Sequence, residues 1–372
     1  MKLRKIPLLL GIFAPLGLSA CGNGSTSSSG DGVIPVKKPI AIIAGGGSYA
    51  AGIGQVFAFN LNTESLVQIG ESVGNCAIKS LTQTIDGTIY AAGCDDSGFG
   101  GVYSTNDGTS WTTIESGLGL SSITSMASNG DIVYAGGNVS YSGGENNSGG
   151  IFTFKNGVPV VGNLIESQIG FGAVSSMAIS PDGVLYTGNL DAYNSLSALG
   201  LISSVSSESA TTIQSGIGYL DCPINALALK SGNLYAAGCD ESGTGAIYKY
   251  SGGVGPVESL ATGLGLGAVY GLKSLAVADD GTVYAGGVGA APNVGGVVYK
   301  YANGTPTTLE SGIGENECPI TALTLDHDGT LYAGGCDSNG NGAIYKYAND
   351  VWSTLESGIP GSQINSLVVV YQ

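Results

Sequence analysis

The chain has 372 residues, of which 64 are glycine and only 11% are charged. Its 28 acidic residues outnumber its 12 basic residues, and the formal net charge is −16. The glycines follow no Gly-X-Y period, which excludes collagen. The scarcity of Lys and Arg excludes nucleic acid as a partner, because neutralising phosphates takes clustered basic residues.

The first 20 residues have the features of an export signal. All three basic residues of this segment precede an apolar run over residues 6–18, and no acidic residue lies there. The run is too short for a comfortable membrane span, so we predict a signal peptide over residues 1–20. It ends in Leu18-Ser19-Ala20-Cys21, which resembles the lipobox of bacterial lipoproteins. The resemblance implies cleavage before Cys21 and a lipid such as palmitate on the new N-terminus.

A flexible tether is predicted between the lipid and the folded part. Residues 21–38 are rich in Ser and Gly, which is typical of a linker. Gly22 follows the cysteine, and by the same resemblance the absence of Asp there implies the outer membrane as destination. Loss of residues 1–20 leaves nine basic and 28 acidic residues, a net charge of −19 with no Arg. Such a surface suits solubility, metal cations or basic partners.

A sequence repeat runs through the rest of the chain. One copy is Ile320-Thr321-Ala322-Leu323, followed by the turn Asp328-Gly329 and by Leu331-Tyr332-Ala333-Gly334-Gly335. From the corresponding Ile43 to Tyr332 the steps are 47, 44, 52, 49, 49 and 48 residues. This period, in short segments that alternate between apolar and polar residues, predicts an all-β chain of four-stranded propeller blades. The other copies centre on Tyr90, Tyr134, Tyr186, Tyr235 and Tyr284.

Seven blades result if the two chain ends share one of them. The chain ends on a lone first strand, residues 364–370, and the repeats begin on a lone second strand, residues 40–44. Pairing these strands would close the ring and remove both sheet edges. We therefore predict a seven-bladed β-propeller over residues 39–372. Its blades, numbered 1 to 6 in chain order, are 76–120, 121–172, 173–221, 222–267, 268–317 and 318–363, and the seventh is a composite of 39–75 with 364–372.

The first strand of each blade has a polar second position and a small third position. The small residues are Ser or Ala in all seven copies, which fits an innermost strand where blades converge. The polar residues would bind a small polar or anionic ligand if they face a central channel. Packing between blades explains them equally well. The candidate ligand ring is Lys79, Asn225, Lys273 and Asn365, and the remaining second positions are Thr124, Ser175 and Thr321.

Six cysteines besides Cys21 fall in three pairs at matching phases of their blades. In each pair one cysteine opens the first strand and the other closes the second, and these ends lie side by side in an antiparallel hairpin. Three disulfides are therefore predicted, and export would permit them. A zinc site is the competing interpretation, but the six thiols come with a single His. The pairs are Cys76–Cys94, Cys222–Cys239 and Cys318–Cys336.

One segment, Ser104-Thr105-Asn106-Asp107-Gly108-Thr109-Ser110-Trp111, resembles the Asp-box of BNR or sialidase-like propellers. That pattern is Ser-x-Asp-x-Gly-x-Thr-Trp and lies at the turn between strands three and four. Here Asn106 stands at the usual Asp position. The resemblance implies a folding element far from any active site and carries no catalytic residue over. Sialidases hold the substrate carboxylate with an arginine cluster, so an Arg-free mature chain excludes that activity.

Three loops that follow cysteines share an acidic pattern. The loop Asp337-Ser338-Asn339-Gly340-Asn341-Gly342 matches the opening of a calcium-binding loop, but Ala348 stands where a bidentate Glu is expected. An Asx-type turn held by its own backbone bonds is the default interpretation. We expect these loops to share one acidic face with the recurrent Glu-Ser-Gly elements that end strand four. The candidate calcium ligands are Asp95, Asp240, Asp337 and Asn339.

No residue set in the sequence identifies a reaction. No nucleophile pairs with a base, and the single histidine, His327, lies in a turn. We therefore predict a lipid-anchored, monomeric propeller of the cell envelope that acts as a non-catalytic binding or scaffold module for a protein or glycan. Two alternatives stay open. One is a carbohydrate-active hydrolase or lyase that uses carboxylates on the acidic face, and the other is a calcium-dependent binding module.

Overall fold

A computed structural model describes most of the chain after residue 37. The described residues are 38–48, 53–70, 72–118, 120–139, 148–160, 169, 171–190, 199–205, 210–218, 222–252, 256–265, 271–289, 295–313, 318–359 and 363–371. The predicted signal peptide, the lipidated Cys21 and all but the last residue of the predicted tether lie outside these ranges. Within the ranges, no helix is long and apolar enough to cross a bilayer.

The described residues form 28 β-strands in seven blades, so the all-β fold is confirmed. The composite blade contains β1 (Pro39–Ser48), β2 (Ile53–Asn60) and β3 (Ser65–Gly70). Blades 1 to 3 contain β4 (Ser80–Gln83), β5 (Ile89–Cys94), β6 (Gly100–Thr105), β7 (Thr112–Glu115), β8 (Leu120–Asn129), β9 (Ile132–Val139), β10 (Ser148–Lys155), β11 (Val158–Pro159), β12 (Phe171–Ile179), β13 (Leu185–Leu190), β14 (Gly200–Val205) and β15 (Ala210–Ile217).

Blades 4 to 6 have the same four-stranded arrangement, and one strand remains to complete the composite blade. Their strands are β16 (Ala226–Lys230), β17 (Asn233–Cys239), β18 (Gly245–Ser251), β19 (Glu258–Leu264), β20 (Ser274–Val277), β21 (Val283–Val288), β22 (Gly296–Ala302), β23 (Thr305–Ile313), β24 (Ala322–Leu325), β25 (Leu331–Cys336), β26 (Gly342–Ala348) and β27 (Val351–Ile359). The last strand is β28 (Ser366–Tyr371).

The two chain ends share a blade, as predicted. The sheet order is β28-β1-β2-β3, with β28 innermost. Strand β1 pairs antiparallel with β28, and Ala44 is opposite Leu367. Each first strand contacts the first strand of the next blade, in the order β4, β8, β12, β16, β20, β24, β28 and back to β4. The ring is therefore closed.

Blades 2 and 3 are joined more closely than the others. Ser148 of β10 pairs with Phe171 of β12, which makes one continuous eight-stranded sheet of the two blades. The first strands of these blades, β8 and β12, are also longer than those of blades 1, 4, 5 and 6. The seven blades therefore share the same antiparallel strand order, but their strands differ in length.

A glycine within the second strand lets adjacent blades approach closely. A Cβ at Gly334 would lie 2.6 Å from Cγ2 of Ile364, the first-position residue of the next blade, which is 0% exposed. At Gly286 it would lie 2.7 Å from Cγ2 of Ile320. Real Cβ atoms do not approach this closely, so the Tyr-Ala-Gly motif is explained by the branched residue that packs on it.

The turn between the first and second strands is held by an aspartate. In blade 6, Oδ1 of Asp326 accepts hydrogen bonds from the N–H groups of Asp328 (3.0 Å) and Thr330 (2.8 Å). Gly329 adopts a φ of +82°, which glycine adopts without strain. These features explain Asp326 at the start of the turn and the glycine that follows Asp328.

The three predicted disulfides are confirmed. Cys76–Cys94, Cys222–Cys239 and Cys318–Cys336 are bonded, with Cα atoms 5.5, 6.0 and 6.0 Å apart. They lie in blades 1, 4 and 6, and each links the start of a first strand to the end of the neighbouring second strand. All six of these cysteines are therefore bonded to a partner in their own blade.

Candidate functional site

The inner strands surround a central channel of about 600 Å³. The residues at the second position of every first strand line it, where the candidate ligand ring was expected. Small third-position residues and the following apolar residues line it as well. The second-position side chains are Lys79, Thr124, Ser175, Asn225, Lys273, Thr321 and Asn365.

Four of these seven side chains join adjacent blades. Nδ2 of Asn225 donates to the carbonyl of Leu272 (3.0 Å), and Nδ2 of Asn365 donates to that of Ile78 (2.9 Å). The hydroxyls of two threonines make the same contact with the first-position carbonyl of the next blade. The side-chain amides of Asn225 and Asn365, which belong to the candidate ligand ring, therefore each donate one hydrogen bond that joins two blades. The threonine pairs are Thr124 with Val174 and Thr321 with Ile364.

Third-position serines complete the junctions between blades. Ser176 donates to the carbonyl of Ile224 (2.9 Å), and Ser274 donates to that of Ile320 (2.9 Å). Ser80 instead accepts from the N–H of Met126 (2.9 Å). Every junction of the ring thus has at least one side-chain to backbone hydrogen bond. The polar ring therefore lines the channel and also packs the blades, and ligand binding by it stays a prediction.

Lys79 and Lys273 are the two charged residues of the channel wall. The N–H of Lys79 bonds to the carbonyl of Ala92, and that of Lys273 to Gly286, each close to the end of a second strand. By accessible surface, Lys79 is exposed and Lys273 is half-buried. The surrounding channel walls nevertheless remove part of the water around both ammonium groups, and this desolvation lowers the pKa of each lysine. No Asp or Glu is among the described residues that line the channel.

The acidic loops lie at the same end of the molecule as the two lysines. The carboxylate of Asp240 accepts hydrogen bonds from the N–H groups of Ser242 (2.9 Å), Thr244 (3.0 Å) and Gly263 (2.9 Å). Gly263 belongs to the end of strand four, so the loop after strand two and the end of strand four share one face, as predicted. We call this the acidic face; its carboxylates are Asp95, Asp96, Glu115, Asp240, Glu241, Asp337 and Glu356.

The other two loops repeat this arrangement. Oδ2 of Asp95 accepts from the N–H of Gly117 (2.7 Å), and Oδ2 of Asp337 accepts from that of Gly358 (2.8 Å). In both loops Oδ1 accepts two further N–H groups from the loop itself. These are Asx-type turns. A calcium ion on the candidate ligands Asp95, Asp240, Asp337 and Asn339 would have to compete with these donors, and calcium binding stays a prediction.

Each acidic loop is backed by a buried tyrosine that sequence reasoning missed. The hydroxyls of Tyr103, Tyr248 and Tyr345 donate to the carbonyls of Cys94, Cys239 and Cys336, at 3.1, 2.6 and 2.8 Å. Burial, together with the adjacent Asp95, raises the pKa of Tyr103 to about 12. The signal in the sequence is a fixed spacing of nine residues from cysteine to tyrosine.

The segment that resembles an Asp-box lies between β6 and β7, the turn expected for it. Oδ1 of Asp107 accepts from the N–H groups of Thr109 and Ser110, each at 2.8 Å, and these bonds lower the pKa of Asp107. Asp107, one residue after the expected position, thus holds the turn. Nε1 of Trp111 donates to the carbonyl of Ile69 in the composite blade (2.8 Å). The segment therefore joins two blades.

The acidic loops give no support to a glycosidase mechanism. The described residues contain no group of three or more His, Cys, Asp or Glu placed to hold a metal ion. A glycosidase needs a carboxylic acid whose pKa is raised. The pKa values of Asp240 and Asp337 are lowered, because hydrogen bonds from backbone and side chains outweigh the effect of burial. His327 is exposed in its turn, with its ring 4.4 Å from that of Tyr371.

The comparisons agree with this architecture. No family model matches the sequence, and no curated protein matches it significantly. Solved structures do match. A putative 6-phosphogluconolactonase from Bacteroides uniformis is 17% identical with a TM-score of 0.60, over 89% of this chain and 99% of that chain. The chain is a β-propeller.

Two further propellers are similar at lower identity. The propeller domain of the Trilobed protease from Pyrococcus furiosus is 12% identical with a TM-score of 0.53, over 82% of this chain and 88% of that chain. A puromycin-hydrolysing peptidase from Mycobacterium tuberculosis is 12% identical with a TM-score of 0.58, over 82% of this chain and 50% of that chain. The Pyrococcus domain is described as having an open velcro topology, whereas β28 and β1 close the present ring. At these identities the similarity shows the fold alone.

Proposed function

We propose that this chain is a lipid-anchored binding module of the cell envelope, which presents the acidic face to a protein or glycan that carries basic groups. The distribution of the cations carries the proposal, since carboxylates lie at both ends of the molecule, whereas the described lysines outside the channel lie at one end only. Seven carboxylates lie on the acidic face, and its described cations are Lys79 and Lys273 in the channel. The other described lysines lie in the half of the molecule that holds the turns between strands one and two, which we call the turn face.

Three described loops of the acidic face are held in place before any partner arrives. They are held by carboxylate-to-backbone bonds and stapled by disulfides, so binding would cost little ordering entropy. Asp96, Glu241 and the 45% exposed Phe99 project from these loops. A groove of about 480 Å³ opens beside the Asp240 loop and is lined in part by Gln214 and Tyr248. These features suit a partner with both apolar and basic groups.

The proposal of a lipid anchor is supported by the residues of the predicted signal peptide and tether. The lipobox-like Leu18-Ser19-Ala20-Cys21 and the Ser- and Gly-rich tether support attachment of the ring to the outer membrane through Cys21. Feeding the source cells an alkyne analogue of palmitate tests this directly. The intact chain should incorporate the label, and the Cys21→Ser variant should not. An unlabelled intact chain would contradict the anchor.

The binding face is tested by photo-crosslinking in intact cells. A benzophenone amino acid is placed at Ser97 or Ser338 on the acidic face, and at Ile85 or His327 on the turn face; all four residues are exposed. We expect the same crosslinked partner from both acidic-face positions and none from the turn face. Crosslinks from the turn face alone, or from neither face, would contradict the proposal.

A further inference from the structure

The channel contains two cations that take no part in holding the ring together. Of the seven second-position side chains, four donate to the next blade, and Ser175 lies 3.4 Å from the carbonyl of Ala173. The two that remain are Lys79 and Lys273. Contacts between blades therefore account for four of the seven positions and a contact within β12 for Ser175, while the side chains of Lys79 and Lys273 make no hydrogen bond to another described residue.

Neither lysine has a counter-ion among the described residues. The salt bridges of the described chain join Lys155 to Asp131 and Lys230 to Asp279, all on the turn face. Lys273 is half-buried, and an ammonium group without a partner is unfavourable when it is removed from water. The chain has 28 acidic residues, yet none of them is among the described residues of the channel wall. The lack of a carboxylate there is therefore a specific feature of this site.

The two lysines lie on opposite walls of one cavity. Lys79 belongs to blade 1 and Lys273 to blade 5, so two blades separate them in one direction and three in the other. Both line the same space of about 600 Å³. Both also lie near the end of a second strand, and hence at the same depth. The cavity is within the range of roughly 300–1,000 Å³ that is common for small-molecule sites.

We propose that the channel binds a small dianion, such as phosphate or a short dicarboxylate, between the ammonium groups of Lys79 and Lys273. Each lysine donates charge-assisted hydrogen bonds to one side of the ligand. Low-dielectric walls strengthen this attraction. The carboxylates of Asp95, Asp240 and Asp337 oppose it little, since their loops follow the second strands, outside the channel wall, and solvent and salt screen them.

Isothermal titration calorimetry of the full mature chain in detergent tests the site. Inorganic phosphate and malonate are titrated separately at constant ionic strength. We expect one site per chain, and a loss of about tenfold or more in affinity in each of Lys79→Gln and Lys273→Gln. Phosphate binding alone identifies a phosphoryl group, malonate binding alone a dicarboxylate, and either supports the proposal.

The matched control is the double variant Lys300→Gln, Lys346→Gln. It removes the same charge from third strands outside the channel, and it should bind within about twofold of the intact chain. If Lys79→Gln, Lys273→Gln binds as tightly as that control, or if the intact chain binds neither anion, the proposal is wrong.

A second measurement avoids substitutions altogether. The lysines of the intact chain are dimethylated with a ¹³C label, and phosphate is added. We expect two methyl signals to shift strongly and to saturate together. Uniform, non-saturating shifts of all lysine signals would show only general salt effects and would overturn the site. Because purified protein suffices, failure here is distinguishable from failure to find a partner on the acidic face.

Discussion

The backbone of Ala44, in the first described strand, pairs with that of Leu367 in the last, and this pairing closes the ring. Strand β28 buries several apolar side chains, among them Val369 and Val370. Deleting residues 364–372 should therefore lower the free energy of unfolding by more than about 5 kcal/mol. It should also expose the edge of β1, so that the chain associates. Urea unfolding and light scattering measure both effects; an equally stable monomer would contradict the closure.

Close contact between blades predicts the cost of one added methyl group. Gly334→Ala places a Cβ against Ile364 and should destabilise the chain by about 1–3 kcal/mol. The measurement is the shift in urea midpoint at unchanged slope.

The control for this contact is a double-mutant cycle. Ile364→Ala alone should cost about 2–5 kcal/mol by leaving a cavity. In the double variant the new methyl group meets no branched side chain, so the costs should be less than additive. Strict additivity would show that the two residues do not press on one another.

The hydrogen bonds of Asp240 make stability depend on pH. Burial alone would raise the pKa of Asp240, but its hydrogen bonds with Thr244, Gly263 and Ser242 outweigh burial and lower it. A lowered pKa means that the stabilisation is complete above the unfolded value, about 3.9, and is lost as pH falls through the folded value. Asp240→Asn should cost about 1–3 kcal/mol at pH 7.

The same variant should lose less stability than the intact chain when the pH falls from about 4 to 2. Unfolding by urea at several pH values measures this difference. Asp182→Asn, at an exposed position of the turn face, is the matched control and should change little. If both variants show the acid dependence of the intact chain, the carboxylate of Asp240 does not hold its loop.

The disulfides should act through the unfolded chain. Replacing Cys318 and Cys336 together by Ser removes a bridge with a sequence separation of 18. The loop-closure model gives a loss of about 3 kcal/mol. Chemical denaturation of the variant and of the intact protein measures it. The acidic loop at Asp337 should then exchange its amide hydrogens faster, while the Asp95 loop, in another blade, should not.

The ring could be predicted from the sequence because the same packing contact recurs between adjacent blades. A branched residue must meet a glycine or alanine of its neighbour, and this requirement repeats as Ile320 after Gly286 and as Ile364 after Gly334. The cysteine pairs were predictable for a similar reason, since hairpin register places their ends together.

The functional residues were less predictable because spacing does not fix the direction of a side chain. The sequence grouped Asn225 and Asn365 with the lysines, yet both amides reach across a junction to a backbone carbonyl. Likewise, the Asp-box pattern drew attention to position 106, while the carboxylate of Asp107 makes the turn contacts. Only the three-dimensional arrangement shows that, among the described second-position side chains of the channel, those of Lys79 and Lys273 have no hydrogen-bonding partner.

The proposal that the acidic face binds a partner is tested most directly by reversing charge on one face at a time. Asp96→Lys with Glu241→Lys changes the acidic face, and Asp182→Lys with Asp328→Lys makes the same charge change on the turn face; all four residues are exposed. The measurement is the size of the complex extracted from source-cell membranes in mild detergent. We expect the first variant to migrate as the free chain and the second to remain in the complex. Retention of both variants, or loss of both, would contradict the account.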